Sequence, residues 1–76
     1  MFEEDEFDKF IKKMEDGIEE NKKHYDDTWK KEDISFLEQR LNAKFNEFKM
    51  TKKTSKLVSL ANLAMMVHIR LNEEKD

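Results

Sequence analysis

The chain contains almost none of the residues that interrupt a helix. In 76 residues there is no proline, and Gly17 is the only glycine. Strands joined by tight turns normally need both residue types, because glycine supplies a positive φ at the turn and proline fixes φ at a bend. We therefore expect an all-α protein whose helices are joined by short polar links.

The size of the chain limits the core that it can form by itself. A domain of this length buries only about 60% of the surface that its unfolded chain exposes. The hydrophobic content of 37%, with six Phe and five Met, is nevertheless too high for a disordered chain, although 43% of the residues are charged. We expect one α-helical domain, residues 1–76, that gains stability from a second subunit.

Three features bear on where the protein is found. Because there is no cysteine, disulfides and thiolate metal sites are excluded, and a cytoplasmic location fits. The acidic N-terminal stretch does not resemble a signal peptide. The apolar run 57–71 is interrupted by polar residues and is shorter than the roughly 20 residues that span a bilayer. The sequence therefore predicts a soluble protein without a membrane partner.

The hydrophobic residues repeat at the spacing of three helices, with apolar side chains three or four positions apart. The first helix is expected within residues 4–24, and the second extends for about four turns after Asp33, a suitable N-cap. Thr54 or Ser55 can cap the third. The apolar positions are Phe7, Phe10, Ile11, Met14 and Ile18 in the first helix, Ile34, Leu37, Leu41, Phe45 and Phe48 in the second, and Leu57, Val58, Leu60, Ala61, Ala64, Met65, Ile69 and Leu71 in the third.

The third helix is apolar on more than one side, which is typical of a buried helix. Two other helices are too few to cover it, so a second copy of the chain is the simplest cover. We expect a homo-oligomer, a dimer or larger, in which helices two and three form a shared helical bundle. A monomeric three-helix bundle with some exposed Met and Leu is the alternative.

Charge is distributed unevenly along the chain. Residues 1–20 carry nine acids and three lysines, whereas residues 49–56 hold four lysines and no acid. Elsewhere the basic residues are scattered, and a third helix with few polar residues is poorly suited to reading base edges. Nucleic acid is therefore not expected as a partner.

Several short motifs, in this order, resemble those of the MazG-like all-α nucleotide pyrophosphohydrolases. The resemblance covers residues 18–71 and implies a fold in which facing helices of an oligomer surround a nucleotide. The residues that carry it are Thr28-Trp29, Arg40-Leu41, Ala61-Asn62 and Ala64-Met65-Met66.

The resemblance also implies a metal site, and here the chain departs from the family. Two facing helices would each present two acids three residues apart, which together hold Mg²⁺ against a nucleoside triphosphate. Aligned on Arg40-Leu41, the first pair is Lys44 and Glu47, and aligned on Ala61-Asn62 the second is Lys56 and Ser59. No acid lies between Glu47 and Glu73, so no other alignment restores the second pair. We expect no catalytic residue, no metal, no cofactor and no Mg²⁺-dependent hydrolysis by this chain.

Two functions of different class remain open. The first is a non-catalytic scaffold that oligomerises or binds a protein partner. The second is a metal-independent site for a nucleotide or phosphate, with Lys44 and Lys56 in place of Mg²⁺ and the start of the third helix adding free N–H groups. A lysine-rich link between two helices is, however, more often only a solvated connection.

The remaining candidate residues each have two interpretations. Trp29 either stacks on a base, as the resemblance implies, or anchors a helix corner. Asn62 must find hydrogen bonds on an apolar helix, either across a subunit interface or to an amide of a ligand. A cluster of acids near the end of the first helix is either a different metal site or solvated charge; it consists of Glu19, Glu20, Asp26 and Asp27.

Overall fold

Three α-helices make up the part of the chain that the computed structural model describes, residues 4–21 and 27–75. The helices are α1 (Glu4–Glu20), α2 (Ile34–Thr51) and α3 (Thr54–Lys75), and a short 3-10 helix, Asp27–Lys30, precedes α2. No strand occurs within these residues. The predicted all-α class is therefore confirmed.

The first helix lies within the predicted span of residues 4–24. It ends at Glu20, where Asn21 donates both its backbone N–H and its side-chain amide to the Gly17 carbonyl, at 3.1 and 2.9 Å. An asparagine side chain that bonds a carbonyl of the last turn in this way competes with continuation of the helix. The rest of the predicted span, residues 22–24, lies outside the described residues.

The second helix is longer than the four turns predicted, since it runs for 18 residues to Thr51. Asp33 is its N-cap as expected, but its side chain makes no capping hydrogen bond. At the other end Lys52 adopts the left-handed conformation, with φ 57°, and its N–H donates to the Phe48 carbonyl at 2.7 Å. A lysine therefore occupies the helix-ending position that usually holds glycine.

The third helix begins at Thr54 itself rather than after it. Only Lys52 and Lys53 separate it from α2. The N–H of Lys56 donates to the Lys53 carbonyl at 3.1 Å, so the chain enters α3 through Lys53 and the two hydroxyl residues lie in the first turn. Because the link is so short, α2 and α3 form a helical hairpin.

The core lies where α3 packs between the other helices, more extensively against α2 than against α1. Leu37 of α2 is fully buried, and Leu63 and Met66 of α3 are each 2% exposed. Nothing in α1 is buried, and Phe7 remains 58% exposed although it lies on the apolar face of that helix.

The connection before α2 is tied to the far end of α3 by Arg70. Its guanidinium Nη1 donates to the carbonyls of Trp29 and Glu32, at 2.8 and 2.6 Å. A planar guanidinium suits this position because it offers several donors in fixed directions.

None of the described helices has a segment long and apolar enough to cross a bilayer.

Candidate functional site

Three of the predicted site residues meet where α2 and α3 approach their short link. Lys44 and Glu47 lie one turn apart on α2, with Nζ to Oε2 at 3.3 Å. Lys56, in the first turns of α3, reaches the other oxygen of the same carboxylate, with Nζ to Oε1 at 3.2 Å. We call Lys44, Glu47 and Lys56 the lysine–glutamate cluster.

The two lysines favour the charged form of the carboxylate between them. The hydrogen bonds from Lys56 and then Lys44, with a smaller effect of their charge, hold the pKa of Glu47 below its ordinary value of 4.5. Both carboxylate oxygens are thus occupied by cations. The described residues contain no group of three or more His, Cys, Asp or Glu arranged to hold a metal.

Ser59 lies between this cluster and Asn62. A cleft of about 470 Å³ beside the cluster is lined by Arg40, Lys44, Glu47 and Ser59. Arg40 does not add a free charge to it, because its Nη2 lies 3.2 Å from Oε1 of Glu32. The structure therefore places Ser59 beside the lysine–glutamate cluster, which carries one net positive charge.

Asn62 turns toward α1 instead of toward solvent. It is 1% exposed, and its Nδ2 donates to the Met14 carbonyl at 3.1 Å. Its Oδ1 is buried and accepts no hydrogen bond from any described residue. The same side chain lines a second cleft, of about 630 Å³, between α1 and the first turns of α3. Asn62 therefore joins α3 to α1 by a hydrogen bond within the chain.

Trp29 lies away from the other predicted site residues. Its carbonyl is held by Arg70, which is fourteen residues beyond Lys56, or about 21 Å along α3. Trp29 is half-buried, and Nζ of Lys30 lies 5.8 Å from its ring centroid. These contacts fit an anchor at a helix corner. The distance along α3 places Trp29 far from the lysine–glutamate cluster.

Sequence reasoning missed Arg70 and Asn21 as structural residues. Arg70 lies on a mostly apolar helix. A lone arginine in such a helix needs hydrogen-bond acceptors for its guanidinium group, and this need could have indicated its role. Asn21 follows a helix without a glycine at its end, which favours a side-chain cap.

Of the acid cluster, Glu19 and Glu20 are exposed at the end of α1, and Asp26 lies outside the described residues.

Comparisons with protein-family models, curated proteins and solved structures give no match to this chain. The MazG-like resemblance therefore stays a prediction based on the motifs.

Proposed function

We propose that this chain is a non-catalytic, MazG-like helical protein of the cytoplasm that acts as a self-associating scaffold through α2 and α3. The observation that carries the proposal is a stripe along the outward side of α3, spaced alternately by four and three residues. This spacing is that of a coiled-coil seam. We call it the α3 stripe; it comprises Leu57, Ala61, Ala64, His68 and Leu71.

The centre of the α3 stripe suits close approach of a second helix. Ala64 is exposed and Ala61 is half-buried, and both are small, while Leu71 at one end is 44% exposed. An antiparallel pair of stripes with a twofold axis at Ala64 places Leu57 of one copy opposite Leu71 of the other, since each is seven residues from the axis. A twofold arrangement of this kind is the commonest form of self-association.

The neighbouring surface of α2 extends the same apolar area. Phe45 is 46% exposed, and a shallow cavity of about 390 Å³ is lined by Leu41, Phe45 and Leu60. Leu60 of α3 connects this cavity to the α3 stripe. A second copy seated on the stripe would fill the cavity, which supports contact through both helices.

The geometry of the lysine–glutamate cluster supports a scaffold over a hydrolase. The resemblance implies four carboxylates, of which this chain keeps Glu47 alone, and lysines occupy both oxygens of that group. With Mg²⁺ and nucleoside triphosphates we expect no more pyrophosphate release than from a Lys44→Ala, Glu47→Ala double variant. Release above that level would contradict the assignment.

The α3 stripe is tested by sedimentation equilibrium of an Ala64→Glu variant. The new carboxylate would be buried without a partner beside its symmetry mate, so we expect the dimer dissociation constant to rise at least roughly a hundredfold. Ala43→Glu is the matched control, because Ala43 is also an exposed helical alanine but lies on the opposite side of α2 from Phe45. A wild-type monomer, or equal effects of the two substitutions, would contradict the proposed interface.

A second function, metal-independent binding of a nucleotide or phosphate, is favoured by one observation. Lys44 and Lys56 converge on a single carboxylate, which leaves one positive charge available to an anion. If this is the function, tripolyphosphate should raise the melting temperature in EDTA, and Glu47→Gln should increase that rise by removing the competing anion. No rise in either protein would leave the scaffold as the function.

A further inference from the structure

We propose that the cleft between α1 and the first turns of α3 binds a small, uncharged amide or lactam whose N–H group donates to Oδ1 of Asn62. This site shares only Leu57 with the α3 stripe and goes beyond the scaffold function. It rests on a buried acceptor, on the shape and lining of the cleft, and on a nearby hydroxyl donor.

Within the part of the chain that the structure describes, Asn62 carries a buried acceptor that lacks a donor. Asn62 is 1% exposed, its Nδ2 is committed to the Met14 carbonyl at 3.1 Å, and its Oδ1 has no donor among the described residues. Buried polar atoms are nearly always hydrogen-bonded, because an unpaired one costs free energy. The Asn62 side chain lines the cleft, and Oδ1 itself has less than 1 Å² of accessible surface, so a ligand N–H group reaches it only with a small movement of the cleft wall.

The cleft has the size and lining of a small-molecule site. Its volume is about 630 Å³, within the roughly 300–1,000 Å³ of typical ligand pockets. Phe10 on α1 and Leu57 and Val58 on α3 contribute apolar walls. Gly17 lies directly across from Asn62, so that a Cβ at that position would be 3.5 Å from Nδ2. The absence of a side chain at Gly17 leaves the wall open beside the amide.

The charge of the cleft favours a neutral ligand. Lys13 lies on the same rim as Asp16 and Glu20, and Asp16 is paired with Lys12 at 3.4 Å, so neither sign dominates. An anion without an O–H or N–H group, such as a carboxylate, offers no proton to Oδ1, and a cation would lose its hydration next to the positive end of the α3 dipole. A neutral N–H group meets the need of Oδ1 at the lowest desolvation cost.

An amide ligand needs a hydrogen-bond donor for its carbonyl as well as an acceptor for its N–H, and a hydroxyl near Asn62 provides the donor. Ser59 lines the same cleft one turn before Asn62, about 4.5 Å along the helix axis. Its Oγ donates to the Ser55 carbonyl at 3.4 Å, which is long for an O–H···O hydrogen bond. It can therefore turn to the carbonyl of a ligand whose N–H bonds Asn62.

The test compares the binding of 2-piperidone and N-methyl-2-piperidone to the full chain. Binding is measured from the amide chemical shifts of the protein in NMR spectra. The two lactams share the ring and the carbonyl, but only the first carries an N–H. We expect 2-piperidone to shift the signals of Gly17, Val58 and Asn62 with a dissociation constant at least about tenfold lower than that of the N-methyl compound. Equal binding of both lactams, or binding of neither, would overturn the proposal.

Two variants test whether Asn62 accepts the hydrogen bond from the lactam N–H group. Asn62→Leu removes the acceptor with a side chain of similar volume, and Met14 keeps its helical hydrogen-bond position in α1. This variant should bind both lactams equally weakly. Asn42→Leu is the control, because Asn42 is an exposed amide on α2 outside the cleft, and it should keep the preference for 2-piperidone. Loss of the preference in Asn42→Leu, or its retention in Asn62→Leu, would contradict the assignment. Sedimentation of the same samples reports the α3 stripe independently.

Discussion

Glu47 joins two helices through one carboxylate, and the stability that it contributes depends on its charge. Its pKa is held below its ordinary value because the Lys56 and Lys44 ammonium groups bond the ionised form. A carboxyl group whose folded-state pKa is depressed stabilises the fold above its unfolded-state pKa, and that contribution is lost as pH falls through the folded-state value.

Replacing Glu47 with glutamine tests this dependence. At neutral pH we expect Glu47→Gln to unfold at a lower urea concentration than the wild type, because both lysines lose their anion. The difference should begin to shrink as pH falls below 4.5 and then disappear. Urea titrations followed by circular dichroism measure it. Glu38→Gln, on an exposed acid of the same helix outside the cluster, is the control, and a pH-independent difference for Glu47→Gln would contradict the linkage.

Lys52 shows how a residue can hold a conformation that it does not favour. At φ 57° its Cβ crowds the backbone, and glycine has no such penalty. We expect Lys52→Gly to raise the free energy of unfolding by about 1 kcal/mol in chemical denaturation. Lys53→Gly is the matched control, because Lys53 has no positive φ and its replacement should lower stability. Stabilisation by both, or by neither, would show that strain at Lys52 is not the cause.

At this scale the sequence predicted which residues meet at one end of the hairpin, but not how they are partnered. The alignment of Lys44, Glu47, Lys56 and Ser59 needed only the order of motifs and the helical period. The pairing of both lysines with Glu47 depends on the length of the link between α2 and α3. The inward turn of Asn62 depends on how α1 docks, which hydrophobic spacing alone does not specify.

The elements were predictable because helix signals in this chain are uniform. Three apolar periodicities and the lack of proline located α1, α2 and α3, whereas their ends followed local contacts. Asn21 ends α1 by donating its side-chain amide to the Gly17 carbonyl. Lys52 ends α2 by adopting the left-handed conformation, which propensity disfavours. Helix ends are decided by single hydrogen bonds of this kind, for which composition carries little signal.

Gly17 is the weak point of α1, and the structure leaves room to strengthen it. A Cβ there would lie 3.5 Å from Asn62 Nδ2 and 3.8 Å from Val58 Cγ1, which are ordinary contact distances. We therefore expect Gly17→Ala to stabilise the protein by about 1 kcal/mol, through the higher helix propensity of alanine. Thermal unfolding at fixed concentration measures this. Ala43→Gly on α2 is the reverse control and should cost a similar amount, while a destabilised Gly17→Ala would mean that α1 and α3 approach too closely for a methyl group.

For the whole molecule, the exposed apolar surface makes stability depend on concentration. If two copies cover each other's α3 stripe, folding and association are linked by mass action. We expect the melting temperature of the wild type to rise with protein concentration, and that of Ala64→Glu to be independent of it. Differential scanning calorimetry over a concentration series measures both, and Ala43→Glu should behave as the wild type. A wild-type melting temperature that ignores concentration would contradict association through this face.

The single hydrogen bond from Asn62 to Met14 also has a consequence for the order in which the chain assembles. Contacts between α2 and α3 join segments that are close in sequence, whereas this bond joins residues 48 positions apart, and local contacts form first at lower entropic cost. We therefore expect the helical hairpin to form before α1 docks. Because residues of both α1 and α3 line the cleft beside Asn62, we expect a ligand bound there to slow the opening of α1 and the exchange of its amide hydrogens.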